Sequence, residues 1–331
     1  MRRALQRARS YGTVLLLLLL CCWAAASAAR IVAVGDCHGD LPNTLRVLRA
    51  AGVVAGGAGA GGGGPVVWTG GTDVLVQTGD LFDRGPDSLA LVELFRALAG
   101  GAAAAGGRVV CLIGNHELMN LQGDLRYVED GDAAQFGGWD ARAAALSPRG
   151  AVGQWLRSLD AAAVIDGVLF SHAGVVGAAA ERGVAAVNAA MRRAIGSDRP
   201  FVSPSSAPDR YVIDVVWGRS LAERDEGRVC AALDAALVHL GRSVEAMVVG
   251  HTPQLATGRP WRRCGGRLVL NDVGISSYYG GNIAASEFTR DANGVLQWRE
   301  VTEASASAPA PAPAAAVGTP AAGAAAASHD L

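Results

Sequence analysis

The chain has 331 residues and a formal net charge of -1, so no nucleic acid or other polyanion is implied as a general or stable partner. All 29 basic residues are arginine, which excludes lysine-dependent chemistry: no Walker A loop and no Schiff base can be built. The length allows one large domain or two small ones.

Residues 1–29 read as a signal peptide or other targeting segment. Arg2, Arg3, Arg7 and Arg9 form a basic start, Val14 to Trp23 an apolar stretch, and Ala24 to Ala29 a small-residue zone suited to cleavage. The apolar stretch is short for a membrane span of ~20 residues, so membrane contact is expected only if the segment stays uncleaved. The expected destination is the secretory pathway (ER lumen or outside the cell), with a plastid or another organelle as the alternative.

Residues 30–303 are expected to form the folded domain. Short apolar runs predict strands at Ile31–Val34, Val74–Thr78, Val109–Ile113, Val168–Phe170, Ala246–Val249 and Leu268–Leu270. Apolar residues at helical spacing predict helices over Thr44–Ala51, Ser88–Ala99, Val184–Ile195 and Val229–Leu240. This alternation indicates an α/β layered fold. Gly56–Pro65 and Gly100–Gly107 read as flexible inserts, and residues 304–331 as a disordered Ala/Pro-rich tail. Asp130-Gly-Asp132 reads as an acidic loop, the arginines 259, 262, 263 and 267 as a solvated face, and His239 as a core histidine. Cys37 and Cys111 are expected to be buried and inert, while a Cys230–Cys264 bridge is permitted in an oxidising compartment.

Five motifs follow the ends of these strands: Gly-Asp-Cys-His-Gly at 35–39, Gly-Asp-Leu-Phe-Asp-Arg-Gly at 79–85, Gly-Asn-His-Glu at 114–117, Ser-His-Ala-Gly at 171–174 and Gly-His-Thr at 250–252. Four of the six histidines fall inside them. Each motif alone is weak, since Gly-Asp is commonly a turn and a strand-end histidine is commonly a satisfied polar residue. Together they supply what two divalent ions about 3.5–4 Å apart require: hard oxygen and imidazole donors with one bridging carboxylate. Asp36 and His38 are assigned to the first ion, Asp80 to the bridge, and Asn115, His172 and His251 to the second. His116 follows a ligand and is the candidate acid for the leaving oxygen, with Asp83 fixing its tautomer. Arg84 and Arg219 are candidate phosphate clamps. The chemistry expected is in-line attack on a phosphate monoester by a metal-bridging hydroxide.

These motifs resemble the phosphoprotein phosphatase superfamily of calcineurin-like metallophosphoesterases over about Ile31 to Asp272. Within it, residues 114–128, Val-Trp-Gly-Arg at 216–219 and Asn-Asp-Val-Gly-Ile-Ser at 271–276 are similar to the Shewanella-like protein phosphatases, a bacterial-type branch also found in plants, algae and some parasites. The resemblance implies a β-sandwich flanked by helices, a pair of manganese, iron or zinc ions as cofactor, and a phosphoprotein substrate. The phospho-residue expected is phosphotyrosine and/or phosphoserine/threonine: the association of the branch's plant members with phosphotyrosine leans towards the first, and the missing Ser-Ala-Pro-Asn-Tyr element of the eukaryotic serine/threonine enzymes argues against a simple serine/threonine preference. Gly218 stands where the branch suggests a larger residue. Two other functions remain open on sequence: a dinucleoside-polyphosphate or RNA-cap hydrolase sharing the metal motifs, and an inactive phosphoprotein-binding scaffold. A cysteine phosphatase is excluded, since no cysteine is followed six positions later by arginine.

Overall fold

The computed structural model describes residues 29–57, 64–196 and 211–306. The targeting segment, most of the Gly56–Pro65 insert and nearly all of the tail lie outside them. In chain order the strands are β1 (Ile31–Val34), β2 (Val54–Ala55), β3 (Val67–Trp68), β4 (Val74–Gln77), β5 (Arg108–Cys111), β6 (Ala162–Ile165), β7 (Val168–Ser171), β8 (Ala246–Val249), β9 (Trp261–Arg263), β10 (Leu268–Leu270), β11 (Ala284–Arg290) and β12 (Leu296–Thr302). One five-stranded sheet runs β12-β11-β1-β4-β5, a second β6-β7-β8-β10-β9, and β2 with β3 forms a small ribbon.

The centre of each large sheet is parallel: β1 with β4 and β4 with β5 in one, β7 with β8 and β8 with β10 in the other. Antiparallel strands close the β12 edge of the first sheet and both edges of the second, while β5 ends the first sheet in parallel pairing. Alternate residues of these strands point to opposite faces. Ile31, Ala33, Val76, Phe170, Val248, Val269 and Phe288 fill the space between the sheets. The Phe170 and Phe288 rings meet edge to face there, with centroids 6.1 Å apart. The other set, including Val32, Leu75, Leu169 and Val249, packs outward under the helices. Burial on both faces is why these strands read as unbroken apolar runs. The fold is thus the expected helix-flanked β-sandwich.

Parallel strands point their carboxyl ends the same way, and each end feeds a motif. Residue 35 follows β1, 78 follows β4, 172 follows β7, 250 follows β8 and 271 follows β10. The gathering of loops at one edge is therefore a consequence of parallel pairing.

Several local expectations are corrected. Gly100–Gly107 is no flexible insert, because the helix Ser88–Ala104 runs through its first half on alanine propensity. Asp130 opens the helix Asp130–Gln135, and Asp132 is fully buried rather than part of an acidic loop. Arg263 is not solvated: its guanidinium donates to Glu226 and to the carbonyls of Leu221, Ala222 and Arg224. His239 is exposed on the helix Glu226–Leu240, whose buried residues are Val229, Leu233 and Ala236. The first helix starts at Leu41, earlier than expected, because Asp40 caps it by accepting from Asn43 N–H at 2.9 Å. Cys230 and Cys264 are disulfide-bonded. Cys37 is buried and Cys111 half-buried, and burial pushes both thiols up, Cys37 to about 12.

Candidate active site

The loop after β4 is the keystone of the site, and Glu117 holds it. This buried carboxylate accepts from Asp80 N–H at 2.9 Å and Gly114 N–H at 2.8 Å through one oxygen, and from Leu81 N–H at 2.7 Å and Phe82 N–H at 3.2 Å through the other. The Asp80 carbonyl in turn accepts from Cys37 and His38 N–H at 2.9 and 3.0 Å, which stitches the loop after β1 to it. Gly114 and Gly250 serve close approach: a Cβ at either would collide with Asp80 or Asp36. Gly79, at φ 100, is the motif glycine before Asp80 that needs left-handed backbone.

Backbone strain concentrates here. Among the described residues seven non-glycines have positive φ, and five of them are His38, Asp80, Asp83, Arg84 and His251. Each such conformation costs on the order of 1–3 kcal/mol and persists only where surrounding contacts over-determine it.

The structure brings all ten candidate residues to this edge. Asp80 Oδ1 accepts from His116 N–H at 2.9 Å, so only Oδ2 faces the centre. That oxygen lies 3.7 Å from His38 Nε2, 3.9 Å from His116 Nε2 and 3.3 Å from His172 Nε2. Asp80 therefore joins the two halves through one oxygen, rather than through the two that its motif offered. Potential ligand atoms of His38, Asp80 and His116 converge on one side, and those of Asp80, His172 and His251 on the other. Asp36 flanks the first group, its Oδ2 3.9 Å from His38 Nε2, and both its oxygens accept from His251 N–H.

Ring partners separate the histidines by role. His38 Nδ1 is 3.0 Å from the Phe82 carbonyl and His172 Nδ1 is 2.9 Å from the Thr78 carbonyl. A carbonyl fixes Nδ1–H and leaves Nε2 as an inward lone pair, the state of a metal ligand. His116 Nδ1 instead lies 2.6 Å from the fully buried Asp83 carboxylate, a partner that supports an imidazolium. Burial lowers His38 to about 4, and burial with His172 and Arg219 nearby lowers His251 to about 2, so both stay neutral. Burial also opposes charge on His116, but Asp80 and Asp83 outweigh it and raise its pKa.

These groups fit a cation. One end of the Asn115 amide meets His172 Nε2 at 2.8 Å, His251 Nδ1 at 2.9 Å and Asp80 Oδ2 at 3.3 Å; its NH₂ turned there would donate to them, and its oxygen turned there would join them as a ligand. In that second setting the acceptors repel one another unless positive charge sits among them. His251 turns Nδ1 inward, 3.2 Å from His172 Nε2, so two imidazole nitrogens share this side. Asp36 and Asp272 are buried side by side; burial and then repulsion from Asp272 raise Asp36, while burial, with Asp80 nearby, raises Asp272 to about 6 against the hydrogen bonds it makes to Gly274 and Asp36. The donor set is carboxylate, amide and imidazole, which suits manganese, iron or zinc.

Around this centre stands an aromatic wall. The Arg84 guanidinium stacks on Tyr127 at 3.9 Å and donates to Tyr278 Oη at 3.2 Å, while its buried Nε has no partner. Tyr279 lies against His38, and Trp217 against His251. Arg219 is exposed beside the second group and donates to the His251 carbonyl at 3.2 Å. Gly218 is required there, since a Cβ would strike the Asp214 carbonyl at the end of the helix Tyr211–Trp217. Sequence reasoning assigned no role to Glu117, Asp272 or the tyrosines. Glu117 lay inside a motif already read and was the most recoverable of them.

Fold and site together define a metallophosphoesterase. The family model for calcineurin-like phosphoesterases matches residues 29–255, and the chain belongs to that family. An uncharacterised protein of Schizosaccharomyces pombe is 37% identical, covering 79% of this chain and 77% of that one. Shewanella-like protein phosphatase 2 of Arabidopsis thaliana is 29% identical over 75% of this chain and 71% of its own. Among solved structures, a cold-active protein tyrosine phosphatase of a psychrophilic Shewanella superposes with TM-score 0.64 at 25% identity, covering 82% of this chain and 80% of that one. The chain is accordingly a metal-dependent phosphatase, from a family that uses divalent metals.

Proposed function

We propose that the chain is a phosphoprotein phosphatase that hydrolyses phosphate monoesters and favours phosphotyrosine. Asp36, His38 and Asp80 would hold one divalent ion and Asp80, Asn115, His172 and His251 the other. Bound there, manganese, iron or zinc would acidify water and neutralise phosphoryl charge. The remaining work falls to the chain's own residues. Arg84, pre-oriented by its tyrosine stack, offers its guanidinium to phosphate oxygens, and Arg219, beside the second group of ligands, offers a second clamp. His116 carries a proton on Nε2 to the leaving oxygen while Asp83 keeps Nδ1 protonated.

The observation that carries this reading is the His116–Asp83 pair standing beside two groups of inward-facing ligand atoms. The wall of Tyr127, Tyr278 and Tyr279 supports an aromatic leaving group, and a neighbour's being a tyrosine phosphatase supports it further. The same tyrosines would also stack a nucleobase, which favours a dinucleoside-polyphosphate hydrolase as second reading. Manganese-loaded enzyme assayed on phosphotyrosine, phosphoserine and phosphothreonine peptides and on diadenosine tetraphosphate separates these. Turnover highest on phosphotyrosine is expected; a preference for the dinucleotide would replace the first reading with the second. Binding of phosphopeptide without turnover would leave only a scaffold.

The reading extends to the secretory pathway, which the Cys230–Cys264 bridge supports because disulfides persist in oxidising compartments. Among the described residues no helix is long and apolar enough to cross a membrane.

A further inference from the structure

Behind the acid runs a chain of buried polar groups that phosphate chemistry does not itself require. Asp83 uses one oxygen for His116 Nδ1 at 2.6 Å and the other to accept from Asn120 Nδ2 at 2.9 Å. The same Asn120 nitrogen donates to the His116 carbonyl at 2.9 Å, and Asn120 Oδ1 accepts from Arg142 Nη2 at 2.7 Å. Arg142 Nε donates to Asp132 Oδ2 at 2.8 Å, and Asp132 Oδ1 accepts from Ser88 N–H at 3.0 Å. Arg142 is 1% exposed, which makes it one of the largest fully buried side chains of the molecule.

The amide is the reversible link in that chain. Asparagine presents oxygen and NH₂ on nearly the same frame, so either could face Asp83 on shape alone. A guanidinium has donors and no acceptor. Arg142 therefore compels the Asn120 oxygen towards itself and the NH₂ towards Asp83. One Asp83 oxygen is then occupied, the carboxylate plane is set, and the second oxygen is left for His116 Nδ1. Turned the other way, the amide would oppose oxygen to carboxylate where no water can relieve the repulsion. Asp132 keeps the buried guanidinium paired and anchors it to the start of the helix Ser88–Ala104.

We propose that Arg142 is a positioning residue for the phosphatase reaction. Through Asn120 and Asp83 it holds the His116 ring with Nδ1 protonated and Nε2 turned to the leaving oxygen. The helices Asp130–Gln135 and Trp139–Leu146, which belong to neither sheet, thereby take part in leaving-group protonation. This inference rests on His116 being the acid.

The test uses the manganese-loaded full chain and two aryl phosphates. Phenyl phosphate has a poor leaving group that needs a proton, and 2,4-dinitrophenyl phosphate has one that departs without it. In Arg142→Ala, kcat on phenyl phosphate should fall about 10- to 100-fold at unchanged KM, while the dinitrophenyl rate changes by less than about 3-fold. Equal loss on both substrates, a loss confined to KM, or no loss would overturn the proposal. Should Arg142→Ala fail to fold, Asn120→Ala carries the same expectation and decides the matter by the same criteria. His116→Asn run alongside separates the two claims. If it discriminates between the esters and Arg142→Ala does not, only the positioning role fails; if His116→Asn does not discriminate either, the acid assignment itself is wrong.

Discussion

Glu287 on β11 and Asp36 just past the neighbouring β1 both have little exposed surface, yet the protein treats them in opposite ways. Glu287, on β11, accepts from Arg30 Nη1 at 2.8 Å and from Arg299 Nε at 2.6 Å and Nη2 at 2.8 Å. Burial opposes its charge, but the two arginines outweigh burial and hold its pKa below the usual range. Asp36, just past β1, has histidine as its ion-pair partner and Asp272 as its neighbour, and burial followed by that repulsion drives its pKa well up. One carboxylate is satisfied by the fold. The other is left for something the fold does not contain. A buried acid without a fixed cationic partner costs stability, and one placed at the end of a parallel strand beside imidazoles is suited to hold a cation.

Breaking the unsatisfied side should cost most. Asp80→Asn weakens both halves of the site at once, and phosphatase activity should fall by more than about 10³-fold with loss of bound metal, read by metal analysis and monoester turnover. His116→Asn should keep the metal and lower kcat by about 10²–10⁴-fold, as expected for removal of a general acid. Arg84→Lys should raise KM about 10-fold, because an ammonium can reproduce neither the tyrosine stacking nor the two-pronged grip on phosphate.

Stability against pH sharpens the same contrast, with opposite signs. In chelated protein Asp272 has its folded pKa raised to about 6, so its contribution is full below the ordinary aspartate range and is lost as pH rises through about 6. Glu287 is depressed, so its contribution is present above the ordinary glutamate range and is lost as pH falls through its folded pKa. Denaturant melts of the chelated chain should therefore lose stability on going from pH 4.5 to 6.5 in the Asp272-dependent part, and added manganese should abolish that loss. Glu287→Gln should leave turnover unchanged and cost about 1 kcal/mol of stability, because its arginine partners reach solvent. A collapse of activity in Glu287→Gln would erase the distinction drawn here.

Much of this was readable in the chain. The strands feeding the motifs are apolar on both faces and stand out as continuous runs, and ligands at their ends follow from parallel pairing. β11 was less visible, because Ser286 and Glu287 interrupt it and their burial is satisfied by Asn271 and Arg299 from neighbouring segments and by Arg30 from the far end of the domain. β12 was also hard to see: half-buried Leu296 and Trp298 alternate with exposed Gln297 and Arg299, but the period of two breaks at buried Val301. The candidate ligands that face one another at this edge were legible because each sits inside a short motif. Asn120, Arg142 and Asp132 were not, because no local pattern marks them and their roles exist only once they meet; Glu117 sits inside a motif, but its hold on the loop after β4 does not show there. Asp132 illustrates the limit: next to Asp130 and Gly131 it looks like any solvated turn, and only Arg142 and Ser88 make it a buried anchor.

The central claim is that inward-facing donors from five strand-end loops leave room for positive charge that the chain does not provide. Metal analysis of the purified full chain after dialysis against manganese, followed by monoester turnover as a chelator is titrated in, tests it most directly. About two ions per chain, with activity lost and regained in step with them, is the predicted result. A folded chain that binds no divalent metal, or that turns over phosphate monoesters undiminished in excess chelator, would contradict it.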